Sequence, residues 1–219
     1  MPGTFSLREV RTEQLANGDN GLNLNISPWS YYGFYGGGNN PNITSTIDRL
    51  DFSTETVSVP TPKLSSAKSQ LAAVSSSSYG YFGGGNPNTC TIDRLDFSTE
   101  TVTVPTPKLS QARLRLAATS SSSYGYFGGG LILGPARVCT IDRLDFSTET
   151  VSVPTPQLSQ ARQSLVATSS SSYGYFGGGY DTGFACTIDR LDFTTETVTT
   201  PTPKLSHARL SLAAVSNSN

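Results

Sequence analysis

Histidine, tryptophan and methionine each occur once in this chain, and cysteine three times. A copper or zinc centre needs several convergent imidazoles or thiolates, so metal chemistry has few ligands to draw on. The three cysteines, Cys90, Cys139 and Cys186, cannot all pair within one chain, which excludes a disulfide framework. Charge is scarce too. Only 14% of residues are charged, 15 Lys and Arg against 16 Asp and Glu, so there is no basic excess for a phosphate backbone. No apolar run is long enough to span a bilayer, and the opening "MPGTFSLREVRTEQ" lacks the apolar stretch of a secretory signal.

The composition is instead rich in Ser, Thr, Asn and Gly, and it is periodic. "SSSSYGYFGGG" occupies Ser75–Gly85 and returns at Ser120–Gly130 and Ser169–Gly179, with a degenerate copy, "SPWSYYGFYGGG", at Ser27–Gly38. The glycine triplets begin at Gly36, Gly83, Gly128 and Gly177, in steps of 47, 45 and 49. From Thr46 to Gly83, Thr91 to Gly128 and Thr140 to Gly177 the interval is always 37. Length varies only between the glycines and "TIDRLDF": Asn39–Ser45, Asn86–Cys90, Leu131–Cys139 and Tyr180–Cys186 hold 7, 5, 9 and 7 residues. A fixed frame with one elastic segment describes a rigid scaffold carrying one variable loop per unit.

Each unit reads as four short strands. "LAAVS" or its variants is a strand of small residues suited to a crowded position. "YGYFGGG" is a second, ended by glycines free to adopt positive φ. "TIDRLDF" is a third, followed by a "STET" turn. "TVSVP" is a fourth, stopped by "PTP", whose prolines cannot donate to a ladder. Helix-period stripes are absent. Four short antiparallel strands every 40 to 50 residues predict an all-β propeller, with units at about 27–70, 71–114, 115–163 and 164–210 and a closing strand at 211–216.

The unit resembles a kelch repeat. Tyr81-Phe82-Gly83-Gly84, then Ile92-Asp93-Arg94-Leu95-Asp96-Phe97, then Pro105-Thr106-Pro107 and Arg113 follow the kelch order of aromatic-glycine strand, variable loop, second strand, turn and Arg. The likeness covers roughly residues 30 to 216, with Val57, Val102, Val151 and Val198 where kelch blades usually place a Trp. Four units predict a four-bladed β-propeller, and because the first begins at its aromatic-glycine strand and the chain ends on a lone "LSLAAVS", the C-terminal strand, Ser211–Ser216, is expected to close the ring in the first blade. Leu22–Ser27 is a rival for that slot.

Charges recur at fixed offsets. Asp48, Asp51 and Glu55 return in every unit and make up 12 of the 16 acidic residues. Asp48, Arg49, Asp93, Arg94, Arg113, Asp142, Arg143, Arg162, Asp189, Arg190 and Arg209 therefore form an expected structural charge network, joined by Lys68 in the first unit. Cysteines at equivalent places around a ring lie too far apart to pair, and buried thiols are expected. The one histidine, His207, stands where Gln111 and Gln160 stand in other units, a surface position. The serine runs recur as turn linkers, whereas an active site occurs once. Neither an enzyme nor a cofactor is expected.

Specificity is expected in the elastic loops, which follow the same strand in every unit and so emerge on one face. Candidate partner-binding residues are Asn39, Asn40, Asn86, Asn88, Leu131, Ile132, Leu133, Tyr180, Asp181 and Phe184. The other reading folds each loop onto its own blade edge. Residues 1–26 lie outside the repeat and are expected to be an arm. Their opening, and the "YGYFGGG…TIDRLDFSTETV" units, resemble virion structural proteins of marine cyanobacterial phages. That resemblance implies a tail or capsid appendage: the arm on other virion proteins, the loops on a host-surface protein or glycan, and several copies per particle. Nucleic acid and membrane insertion are not expected. A free carbohydrate-binding propeller and an engineered consensus repeat are the alternatives.

Overall fold

The computed structural model describes residues 32–39, 41–105, 107–134, 136–154 and 156–216. Within them all regular structure is β. The first sheet holds β1 (Tyr32–Gly36), β2 (Ile47–Asp51) and β3 (Thr56–Ser58). The second holds β4 (Ala72–Ser75), β5 (Tyr79–Gly83), β6 (Ile92–Asp96) and β7 (Thr101–Thr103). The third is β8 (Ala117–Ser120), β9 (Tyr124–Gly128), β10 (Ile141–Asp145) and β11 (Val151–Ser152). The fourth is β12 (Val166–Ser169), β13 (Tyr173–Gly177), β14 (Ile188–Asp192) and β15 (Val198–Thr199). Each sheet is an antiparallel meander, and the four make a propeller-like architecture.

Local chemistry sets the turns. Ser76 Oγ accepts from the Tyr79 amide at 3.0 Å, which folds the serine run between β4 and β5. After β6, Asp96 Oδ1 accepts from the Ser98 amide and hydroxyl at 2.7 and 2.6 Å, and Glu100 closes the turn at φ 49°. The glycine triplet ends β5 because Gly84 has φ +70° and a Cβ there would fall 2.5 Å from the Arg113 carbonyl. The strands before "PTP" are short, two or three residues, as prolines that cannot donate require.

The core lies in the seams between sheets. Ile47, Leu64, Phe82 and Leu95 join the first sheet to the second. Val74, Tyr81, Ile92, Leu116, Phe127 and Leu144 join the second to the third, and Tyr126, Ile141, Leu165, Phe176 and Leu191 the third to the fourth. Glycine makes the fit possible: a Cβ on Gly83 would meet the Phe127 ring at 2.7 Å, and one on Gly128 the Phe176 ring at 2.7 Å. The small-residue strands pack directly, β4 on β8 and β8 on β12.

The first sheet has three strands, and Ser211–Ser216 forms no strand among the described residues. No strand pairing between that segment and β1 is seen among the described residues. Leu22–Ser27 and the arm 1–26 lie outside the described residues, as does Asn40.

Candidate functional site

Three seams carry one set of ion pairs, each running from one sheet to the next. Deep in each seam, Lys68 Nζ lies 2.7 Å from Asp93 Oδ2, Arg113 Nη2 2.5 Å from Asp142 Oδ2, and Arg162 Nη2 2.6 Å from Asp189 Oδ2. All six side chains are fully buried. Arg113 also donates to the Phe127 and Thr140 carbonyls at 3.0 and 3.1 Å, and the Ser110 amide donates to Asp142 at 3.2 Å. Such pairs need those extra bonds, because desolvation offsets much of the attraction. Burial pulls the Arg113 and Arg162 guanidinium pKa values down, while the partner aspartates push them back up.

A second set sits nearer the rim: Arg49 with Glu100, Arg94 with Glu149 at 2.7 Å, and Arg143 with Glu196 at 2.6 Å. Each Arg stacks on a tyrosine of its own sheet, Arg94 4.6 Å from the Tyr79 centroid and Arg143 4.8 Å from Tyr124. Tyr81 Oη donates to Glu149 at 3.2 Å and Tyr126 Oη to Glu196 at 3.3 Å. Burial, and then the glutamate charge, raise both phenol pKa values well above the usual range. Aromatic stacks complete the set: Phe34 on Phe97, Tyr81 on Phe146 and Tyr126 on Phe193, each with centroids 5.4 Å apart.

Of the residues expected in a charge network, Arg49, Lys68, Asp93, Arg94, Arg113, Asp142, Arg143, Arg162 and Asp189 lie in ion pairs between sheets. Asp48, Arg190 and Arg209 have no ion-pair partner among the described residues; Arg190 stacks on Tyr173 and Arg209 is exposed. The glutamates of the "STET" turns were legible as repeated charges, but not as partners of the preceding unit. Invisible in the sequence is a chain of backbone bonds: the Arg115 amide donates to Gln70 O at 2.9 Å, Ser164 to Arg115 O at 2.8 Å and Ser211 to Ser164 O at 2.9 Å. All four residues have φ between 53° and 57°, although the set mixes a Gln, an Arg and two Ser.

The variable loops divide. Leu131 bridges Leu114 and Arg137, Tyr180 bridges Gln163 and Phe184, Asn86 bridges Ser69, and Asn39 bridges Ile43. Asn86, Leu131 and Tyr180 thus bridge back to the segment that ends the preceding unit, whereas the Asn39–Ile43, Leu131–Arg137 and Tyr180–Phe184 bridges lie within a single loop. Ile132 donates its amide to Ala136 O at 3.0 Å and Asp181 its amide to Gly183 O at 3.1 Å, closing tight loop tips. The Asn88 Oδ1 atom is buried without a hydrogen bond. Leu133 and Phe184, 81% and 63% exposed, project outward. Arg137 lies 5.2 Å from the Tyr180 centroid and so ties the third sheet's loop to the fourth's, while Tyr180 packs edge-on against Phe184 at 5.7 Å. This patch of Leu133, Arg137, Tyr180 and Phe184 is the candidate contact surface. Arg137 was not among the expected loop residues.

The cysteines are half-buried rather than buried, since each sits at the base of a loop. Cys139 Sγ lies 2.9 Å from Gln157 Oε1. His207 is exposed. Among the described residues no group of three or more His, Cys, Asp or Glu gathers as a metal site. Ala73–Ser75, Ala118–Ser120, Ala167–Ser169 and Ala214–Ser216 line one cavity of about 600 Å³ together with Tyr32–Phe34.

No model of a known protein family matches the chain, and no curated protein does.

Proposed function

We propose that this chain is a non-enzymatic recognition scaffold: a kelch-like four-bladed ring, closed by its C-terminal strand in the first sheet, that presents variable loops to a partner. One observation carries the reading. The seams repeat the same contacts three times, whereas the loops over them differ and two end in exposed apolar side chains, Leu133 and Phe184. Apolar and aromatic groups beside an arginine are the usual anchors of a protein contact. The likeness of the repeat and of the opening residues to phage virion proteins supports a place on the particle, in the tail or as a capsid appendage. Residues 1–26 attach it to neighbouring virion proteins, and the loop face meets the host surface. Many copies convert weak contacts into avidity. No cofactor, nucleic acid or membrane insertion enters this reading.

The test uses particles carrying the full chain with Leu133→Ser and Phe184→Ser together. Host-cell binding is expected to fall by about tenfold or more, since truncating anchor residues typically costs over 1 kcal/mol each. Binding equal to that of unaltered particles overturns the loop-face assignment. Deleting residues 1–26 is expected to abolish incorporation into particles. A second reading, a glycan-binding propeller, is favoured by the edge-on Tyr180–Phe184 pair with Arg137 alongside, a surface able to stack on and hydrogen-bond a sugar. Selective retention of glycans by the isolated chain on an array supports it.

A further inference from the structure

Among the described residues, each contact type that builds the three seams has one unused half on the fourth sheet and one on the first. Arg209 is anchored like Lys68, Arg113 and Arg162: its carbonyl accepts from Gly179 N at 2.9 Å and its amide donates to Ala185 O at 3.0 Å. Its side chain, however, is exposed, and the aspartate equivalent to Asp93, Asp142 and Asp189 is Asp48 on β2. Arg190 corresponds to Arg49, Arg94 and Arg143, and the glutamate equivalent to Glu100, Glu149 and Glu196 is Glu55. Phe52 corresponds to Phe97, Phe146 and Phe193 but is 56% exposed, with Tyr175 the matching ring on β13. Tyr35, at the place of the buried Phe82, Phe127 and Phe176, is exposed.

Segments adjoining the two halves in the chain meet at one cavity. Ala214–Ser216 and Tyr32–Phe34 line the same cavity, and the backbone chain from Gln70 through Arg115 and Ser164 already reaches Ser211. Ends tethered this closely meet each other far more often than they meet a second molecule. We infer that a fourth seam forms within the chain, held by Arg209 on Asp48, Arg190 on Glu55 and Phe52 on Tyr175. The Gln70 amide then donates to Ser211 O and completes the ring of backbone bonds. This rests on the closed-ring reading above, but not on which strand fills the slot beside β1.

The experiment is a pair of double-mutant cycles on the full chain, read as unfolding midpoints over a range of protein concentrations. Asp48→Arg and Arg209→Asp are each expected to lower the midpoint by several degrees, and the combined swap to recover at least half of the loss. Glu55→Arg with Arg190→Glu, at the more tolerant rim, is expected to couple in the same sense. Additive effects in both cycles overturn the seam. Coupling that grows with concentration and accompanies a dimer also overturns it, because the seam then joins two copies. Removing residues 213–219 separates this inference from the closing strand. A large loss of stability on truncation with additive cycles leaves the strand reading standing and the seam contacts refuted. Coupled cycles with an unaffected truncation leave the seam standing and assign the slot to another segment.

Discussion

At the scale of single residues, burial decides what a charge contributes. Arg113 and Asp142 are sealed from water, so Asp142→Ala strands a guanidinium and is expected to cost about 3–5 kcal/mol in denaturant unfolding. Glu149→Ala, across the half-buried Arg94 pair, is expected to cost about 1 kcal/mol, in the range of partly solvated pairs. Equal losses at the two positions would contradict this ranking. The repeated offsets made both residues legible as structural charges. Their direction was not legible, because a repeat shows that Arg and Asp recur without showing that each Arg reaches into the following unit. The glycines behave similarly: Gly83 reads as a turn residue, yet the tighter constraint on it is the Phe127 ring of the next sheet.

At the scale of elements, the turn after each "IDRLD" strand carries a pH signature. Hydrogen bonds from serine and threonine hold the carboxyls of Asp51, Asp96, Asp145 and Asp192 below the ordinary carboxylate range: the Ser53, Ser98 and Ser147 hydroxyls lead for the first three, and the Thr195 amide for the last. A carboxyl whose pKa is lower folded than unfolded contributes fully above the unfolded value and loses that contribution as pH falls through the folded one. The unfolding midpoint is therefore expected to stay level from neutral pH and to decline below about pH 4, near the unfolded carboxyl pKa. Asp96→Ala with Asp145→Ala should make that decline shallower, as thermal melts across pH 2 to 7 would show. Strand order and type were legible here because serine runs, glycines and prolines punctuate the unit. The unpaired state of Ser211–Ser216 was not, since "LSLAAVS" matches the paired "SQLAAVS" and only position separates them.

At the scale of the whole molecule, ring closure has its own observable. In a closed ring the amides of β1 gain a neighbour, and their hydrogen exchange is expected to slow toward that of β5; rapid exchange along all of β1 would refute closure. The loops were legible as the variable part of the repeat. Their division into residues that bridge back and residues that project was not, because bridging depends on backbone geometry at Leu114 and Gln163, which lie outside the strands, at the ends of the preceding units. The near-identity of the seams has one more consequence. A sheet edge that accepts its own successor accepts any other unit equally well, so only the order along the chain tells each wedge where to dock. During refolding at high concentration, units from separate molecules are interchangeable building blocks, and tangled multimers are the natural by-product of a design that repeats one address four times.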